Sequence, residues 1–370
     1  MVDLKGQYEK IKSEVDQGIS EVINQTAFIN GGAVKDFAKE LEAYLGVKHV
    51  IPCGNGTDAL QIALMALGLE AGDEVICPDF TFVATAEVAG VLGLKSVLVD
   101  VHPDSFTIDL DSAEKALSPK TKAIVPVHLF GQCANMDEVM DFAKKHNLYV
   151  IEDTAQAIGA DYKGKTGTFK AGTMGEFGTT SFFPSKNLGC YGDGGALFTN
   201  DDNLASIARQ IVNHGMGQQY DYERVGVNSR LDTIQAAILQ AKLPHLDAYN
   251  SARRAAADAY DQGLSGMEEI TTPYRAPYST HAFHQYTLKL NKGNRDELIK
   301  HLESKGVPCK VYYPQPLHQF SAYHDAARPE SDFKVTNELC AQVFSLPMHT
   351  ELSQDDTNYI VEAVKSFFKS

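Results

Sequence analysis

The stretch Leu148-Tyr-Val-Ile-Glu-Asp153-Thr-Ala-Gln156 is the part of the sequence that decides the fold. Its first four residues are apolar and predict a short buried strand, which runs directly into Glu152 and Asp153. In open α/β sheets, side chains at the carboxyl ends of the strands face the crevice where ligands bind. The stretch therefore predicts an α/β fold with an acid at its ligand site, although an Asp after a strand can also be only a helix N-cap.

Similar short apolar runs alternate with helical stretches along the first 200 residues. They are 74–77, 96–100, 123–128, 148–152, 179–183 and 195–199. Near-continuous apolar strands are typical of a mostly parallel sheet covered on both faces, so we predict a doubly wound domain. Pro244 and His245 should close a helix that begins near Leu231, and 251–260 should form a solvated helix. We therefore predict a large domain at 1–245 and a smaller α+β domain at 246–370.

Lys186 is the only cation in Ser181-Phe-Phe-Pro-Ser-Lys186-Asn-Leu-Gly-Cys-Tyr-Gly192. An amine among weakly solvating neighbours loses its proton more easily and can act as a nucleophile or base. Most lysines are solvated surface charges, so Lys186 alone decides little. With Asp153, however, it supplies the two groups that pyridoxal phosphate requires: an amine for a Schiff base and an acid for the pyridine nitrogen.

A third element predicts a phosphate site. Cys53-Gly-Asn-Gly56-Thr57-Asp58 precedes an apolar run at 59–67 that indicates a buried helix. Free N–H groups at a helix start attract a phosphate, and Thr57 can add a hydroxyl. The same residues could form a simple N-capping turn. The stretch is not a Walker loop, because the lysine of that motif is missing.

Composition excludes several classes of protein. The 370 residues carry 48 acidic and 33 basic side chains, a net charge of −15, which disfavours nucleic-acid binding. Six scattered cysteines without a Cys-x-x-Cys pair favour reduced thiols in the cytoplasm. His281 and His284 stand three residues apart, but no carboxylate or thiol lies at helical ligand spacing, so we predict no metal site. The longest apolar segment, 83–94, is too short to span a membrane, and the amino terminus does not predict a signal peptide.

Four motifs resemble the DegT/DnrJ/EryC1/StrS family of sugar-nucleotide aminotransferases, which are fold type I pyridoxal-phosphate enzymes related to aspartate aminotransferase. They are Asn55-Gly-Thr-Asp-Ala59, Pro78-Asp-Phe-Thr-Phe-Val-Ala-Thr85, Glu152-Asp-Thr-Ala-Gln156 and Ser181-Phe-Phe-Pro-Ser-Lys186. The resemblance extends from Asp3 to His349. It departs from the family at Thr154, where many members carry Ala, and in the stretch 166–180, which is unusually rich in Gly and Thr.

The resemblance implies a role for each matching residue. Lys186 would form the Schiff base with the cofactor, Asp153 would pair with the pyridinium nitrogen, and Gln156 would lie beside the ring's 3-hydroxyl. Phe82 would stack on the ring. The cofactor phosphate would contact Gly56, Thr57, Ser181 and, across a homodimer interface, Asn228. The substrate would contact Arg230, Tyr312, Tyr313 and His318.

The implied reaction transfers an amino group from glutamate to a keto-sugar nucleotide. The segments around Lys186 and 224–237 most resemble enzymes that aminate C3 of UDP-2-acetamido-2-deoxy-3-oxo-glucuronate for bacterial surface polysaccharides such as the O-antigen of lipopolysaccharide. A sister enzyme acting on a UDP-4-keto or dTDP-3-keto sugar is one alternative, and a non-catalytic cofactor-binding regulator is another. The family's sugar dehydratases carry His in place of the Schiff-base lysine, so Lys186 argues against that activity.

Overall fold

The computed structural model describes residues 1–369. Fourteen strands and twelve α-helices make up this part of the chain. The strands are β1 His49–Cys53, β2 Glu74–Pro78, β3 Lys95–Val99, β4 Thr121–Ile124, β5 Tyr149–Asp153, β6 Asp161–Gly164, β7 Gly167–Lys170, β8 Phe177–Ser181, β9 Gly195–Thr199, β10 Met216–Gln218, β11 Asp221–Tyr222, β12 Ile270–Thr271, β13 Tyr286–Leu290 and β14 Val343–Leu346.

The helices alternate with the strands of the first 200 residues and then dominate the rest. They are α1 Leu4–Gln25, α2 Gly32–Leu45, α3 Gly56–Ala66, α4 Ala84–Val91, α5 Leu110–Ala116, α6 Met136–His146, α7 Asp202–Ile211, α8 Thr233–Lys242, α9 Leu246–Gly263, α10 Arg295–Ser304, α11 Lys334–Gln342 and α12 Gln354–Phe368. Within residues 1–369, no helix is both long enough and apolar enough to cross a membrane.

A seven-stranded sheet in the order β1-β9-β8-β5-β4-β2-β3 forms the centre of the molecule. Neighbouring strands from β8 to β3 are parallel, and β9 alone runs antiparallel to both of its neighbours. Every residue of β2 and β9 is buried, because helices cover both faces of the sheet. The predicted doubly wound, mostly parallel α/β fold is confirmed, and β5 carries Asp153 at its carboxyl end.

The stretch 166–180 contributes to two different strands. Its first part pairs with β6 as the hairpin strand β7, and its end forms the start of β8 in the central sheet. The two strands are joined by 171–176, whose backbone N–H groups bind the buried carboxylate of Glu152. Gly172, Met174 and Gly175 donate to it at 2.9, 2.7 and 2.8 Å.

A three-stranded antiparallel sheet, β12-β13-β14, lies in the carboxyl-terminal part and shares an apolar core with α9, α10 and α12. The sequence predicted a solvated helix at 251–260, but α9 buries one face, including Asn250, Arg253 and Tyr260. It follows α8 through a single 3-10 turn, Leu243–His245. The division of the chain between residues 245 and 246 stays a prediction.

Candidate active site

Asp153 lies at the end of β5 and is almost fully buried. Its carboxylate accepts hydrogen bonds from the Thr85 hydroxyl at 2.8 Å and from the Ala155 backbone N–H at 3.1 Å. Ala155 follows the same strand, whereas Thr85 lies at the start of α4, 68 residues away along the chain. The two donors fix the direction of the carboxylate and suit its ionised form.

Lys186 lies in the loop that follows β8 and is half-buried. Burial lowers the pKa of its amine to about 8, although the Asp153 carboxylate acts in the opposite direction. More of the amine is therefore neutral near physiological pH than in a solvated lysine, as a nucleophile or base requires. The influence of Asp153 on Lys186 also shows that the structure brings the two predicted catalytic side chains into one site.

A backbone cradle lies between the start of α3 and the end of β8. A Cβ atom built on Gly56 would lie 2.6 Å from the Ser181 Cβ, so only glycine allows this approach. Asn55 caps α3 by accepting the Asp58 N–H at 2.8 Å. Within residues 1–369, the N–H groups of Gly56 and Thr57 have no acceptor. These two free donors and the nearby Ser181 hydroxyl form a site suited to a phosphate.

Aromatic and amide side chains line the space beside Asp153. Gln156 accepts the Phe130 backbone N–H at 2.7 Å and donates to the Tyr313 hydroxyl at 3.2 Å. Burial raises the pKa of Tyr313, so the phenol keeps a proton to donate. The Phe82 ring is 55% exposed, and its centroid lies 6.5 Å from that of Tyr313. Phe82 therefore offers an uncovered aromatic face, and Tyr312 packs edge-on against Tyr313.

The predicted substrate residue His318 has a different position. It is buried, and its ring nitrogens lie 2.7 Å from Asp79 and 3.1 Å from Glu330. Although burial opposes its charge, Asp79 and Glu330 raise the pKa of His318 above its usual value. These contacts hold the loop of His318 to the end of β2, and a contact of His318 with substrate stays a prediction.

Within residues 1–369, no hydrogen bond or ion pair joins Asn228 or Arg230 to the other predicted site residues. Asn228 is exposed and forms a backbone bridge with Asn213. Arg230 lines a surface groove with residues of α2 and β1. Ser229, between them, bonds to Asp58 at 2.6 Å and to the Gly54 N–H at 2.9 Å. Their loop therefore contacts the start of α3 through Ser229, while the side chains of Asn228 and Arg230 lie at the surface.

Several functional contacts were absent from the sequence-based prediction. Thr85 belongs to one of the four family motifs, but the sequence predicted no contact for it. Glu152 was noted only as the residue before Asp153. Asn187, next to Lys186, makes three buried hydrogen bonds through its side-chain amide. Its adjacency to the lysine was the one available signal, because its partners come from distant segments. No group of three metal-ligating side chains occurs in the described part of the chain.

Comparison with known families agrees with this geometry. Residues 9–365 match the model of the DegT/DnrJ/EryC1/StrS aminotransferase family. The chain belongs to this family. Members of the family are aminotransferases that depend on pyridoxal phosphate, and the cradle, the lysine and the buried acid described above fit that cofactor. The family match also confirms the fold type predicted from the sequence.

Two curated relatives and one solved structure illustrate the similarity. The UDP-2-acetamido-2-deoxy-3-oxo-D-glucuronate aminotransferase of Pseudomonas aeruginosa is 44% identical over 98% of both chains. A protein of Geobacillus stearothermophilus named pleiotropic regulatory protein is 44% identical over 100% of this chain and 98% of its own. A Brucella abortus aminotransferase of the family superposes with a TM-score of 0.94 at 40% identity, covering 100% and 99% of the two chains. Other relatives are named for dTDP- and GDP-linked sugars.

Proposed function

We propose that the protein transfers an amino group from glutamate to C3 of UDP-2-acetamido-2-deoxy-3-oxo-glucuronate in bacterial surface polysaccharide synthesis. The observation that carries the aminotransferase part is the half-buried Lys186 amine, with a pKa of about 8, beside the buried Asp153 carboxylate. The 44% identity to an enzyme named for this sugar, over 98% of both chains, supports the substrate. Cytoplasmic location is part of the same proposal.

The residues of the cradle would hold the cofactor. Gly56 and Thr57 would donate backbone N–H groups to its phosphate, with the Ser181 hydroxyl beside them, and Phe82 would cover one face of its ring. Asp153 would hold a proton on the pyridine nitrogen, while Gln156 would lie beside the ring. When bound, pyridoxal phosphate supplies an aldehyde that condenses with amines and a ring that withdraws electrons.

Lys186 would do the proton transfer. Its neutral amine would remove the proton from the α-carbon of glutamate and deliver it to the carbon of the cofactor that holds the amino group, so that with the addition of water 2-oxoglutarate leaves and the amino group stays with the cofactor. In the second half of the reaction, the same amine would take that proton back and deliver it to C3 of the sugar, while the amino group passes to the sugar and its keto oxygen leaves as water. A pKa of about 8 suits both directions, because it lies close to the working pH and both protonation states are accessible there. Tyr312 and Tyr313 would line the sugar pocket, where the Tyr313 hydroxyl has a proton to donate.

Two other functions compete with this proposal. The first is the same reaction on a UDP-4-keto or dTDP-3-keto sugar, and the name of a dTDP-sugar transaminase among the relatives favours the dTDP-linked form. The regulatory name of the Geobacillus stearothermophilus relative favours a non-catalytic, cofactor-binding regulator as the alternative from another class.

A panel of keto-sugar nucleotides tests the proposal. We expect glutamate alone to change the visible absorbance of the cofactor-loaded protein, and sustained release of 2-oxoglutarate only with the UDP-3-oxo-glucuronate substrate. Release with a UDP-4-keto or dTDP-3-keto sugar instead would show that the sugar is wrong. No absorbance change and no release with any member of the panel would favour the regulator.

We also propose that the active unit is a homodimer with shared sites. Within residues 1–369, neither Asn228 nor Arg230 makes a hydrogen bond or ion pair with Lys186, and the nearby segment 216–225, which contains the hairpin β10–β11, exposes Tyr220 and Val225 by 78% and 84%. These features support a loop that reaches a partner, where Asn228 would meet the cofactor phosphate and Arg230 the substrate. An isologous interface would place the loop twice, once at each site.

Complementation of two inactive variants checks the shared site. Lys186→Ala should be mixed with the double variant Asn228→Ala, Arg230→Ala under conditions that exchange subunits. With random exchange about half of the dimers are mixed and each keeps one intact site, so about a quarter of wild-type activity should return. If subunits exchange and no activity returns, each chain builds its own site.

A further inference from the structure

The loop that carries Lys186 has no regular secondary structure and is closed by its own backbone. The Lys186 N–H donates to the Phe183 carbonyl at 2.8 Å, and the Cys190 N–H donates to the Phe182 carbonyl at 2.8 Å. Gly189 has no room for a side chain, because a Cβ atom there would lie 2.4 Å from the Pro184 carbonyl oxygen. The position of the lysine therefore depends on what holds this closed loop against the rest of the molecule.

Lys242, the last residue of α8, holds the far side of the loop. Its side chain is 1% exposed, and its amine donates to the Gly189 carbonyl at 2.7 Å. The amine also lies 4.5 Å from the centre of the Tyr191 ring, in the geometry of a cation–π contact. No carboxylate pairs with this amine within residues 1–369. The Lys186 loop is thus the sole hydrogen-bonding partner of the Lys242 side-chain amine in the described chain.

Asn250, in the second turn of α9, holds the loop next to the lysine itself. Its side-chain oxygen accepts from the Asn187 amide at 2.7 Å, and its own amide donates to the Ile158 carbonyl at 3.1 Å. The Asn187 amide also donates to the Ala282 carbonyl at 2.9 Å. Because backbone carbonyls can only accept, they fix the orientation of both amides. Asn187 therefore has one defined position, and so does the backbone beside Lys186.

A contribution to stability alone does not account for Lys242. Burying an amine without a counter-ion costs free energy, and this cost offsets much of what its hydrogen bond to the buried Gly189 carbonyl contributes. Lys242 and Asn250 also lie on either side of the 3-10 turn that joins α8 to α9. One continuous helical unit thus contacts the loop at two points, Gly189 and Asn187.

We propose that Lys242 and Asn250 are positioning residues for Lys186, which they act on through the Gly189 carbonyl and the Asn187 amide. The inference rests on the proposed function only in taking Lys186 as the reactive amine. Their role is to keep the Lys186 amine in its weakly solvated position, so that it stays a nucleophile near neutral pH.

Replacement of Lys242 by methionine separates positioning from stability. The full-length protein, freed of cofactor, is labelled with acetic anhydride across a pH series, and the acetylation rate of Lys186 is read by mass spectrometry. In the wild type the midpoint should lie near the pKa of about 8. In Lys242→Met we expect the midpoint to rise by about one unit, because a loosened loop gains water around the amine. The melting temperature should not fall, and Lys242→Arg should restore the wild-type profile.

Asn250→Ala has a matched control on the same helix. Asn250→Ala removes two buried hydrogen bonds, whereas Tyr260→Phe removes one, to the Pro347 carbonyl at 2.9 Å, and does not touch the loop. Both variants should lose some stability, and only Asn250→Ala should shift the Lys186 profile. Profiles of Lys242→Met and Asn250→Ala that superpose on the wild type would overturn the inference. Borohydride fixation of the cofactor on a lysine other than Lys186 would instead overturn the proposed function, since that result does not involve Lys242 or Asn250.

Discussion

Replacing Lys186 by alanine should lower transamination by about 10³-fold or more, because it removes both the nucleophile and the group that moves the proton. The fold should persist, since the Lys186 side chain makes no hydrogen bond or ion pair within residues 1–369. The rate of 2-oxoglutarate formation measures the loss, and borohydride should no longer fix the cofactor to the protein.

Lys165→Ala is the matched control for this variant. Lys165 lies on the surface, where its amine pairs with Asp141 at 3.0 Å. Its loss should leave activity within about twofold of wild type, because exposed ion pairs contribute little. Activity of Lys186→Ala within about tenfold of wild type would mean that another group performs the proton transfer attributed to Lys186.

Asp153→Asn is expected to keep the fold and to lower transamination by about 10²–10³-fold, since an amide cannot stabilise a proton on the pyridine nitrogen. The asparagine can still accept the hydrogen bond from either Thr85 or Ala155 with its one carbonyl oxygen. Single-turnover rates with glutamate measure the effect directly. A rate within a few fold of wild type would show that Asp153 is only a structural cap.

Glu152→Gln, one residue before Asp153, should lower stability and leave the reaction rate nearly unchanged. Glu152 is fully buried and accepts from three backbone N–H groups and from the His128 ring at 3.0 Å. The glutamine amide would place a donor against at least one of these donors, at a cost of about 2–4 kcal/mol. We expect a lower midpoint of urea unfolding, with a half-reaction rate close to wild type in the protein that remains folded.

The sequence predicted the strands of the central sheet well where they are apolar and continuous. Residues 195–199 were predicted and observed as the same strand, β9. β1 was not predicted, because Pro52 interrupts a five-residue run. Proline is tolerated there since β1 lies at the edge of the sheet, and that position is known only once the strand order is known.

The candidate site was likewise predictable only in part, because some of its contacts depend on the three-dimensional arrangement of the chain. Lys186 and Asp153 stand out in the sequence because each interrupts an apolar or uncharged run. The partners that fix them do not, since Thr85 lies 68 residues from Asp153 along the chain. Burial of α9 was missed for a similar reason: Arg253 looks like a solvated cation but donates to the carbonyls of Phe283, His284 and Met348. Contacts between distant segments set these environments, and local composition does not show them.

The adjacent acids of β5 have a consequence for folding accuracy. Side chains of a strand alternate between the two faces of the sheet, so a register slip of one residue would bring Glu152 to the place of Asp153. Such a slip would leave the three N–H groups of 171–176 and the His128 ring without the carboxylate they bind. The misaligned strand would lose four hydrogen bonds at once, so Glu152 stabilises the correct register of β5. In that register the carboxylate that faces the ligand crevice is that of Asp153.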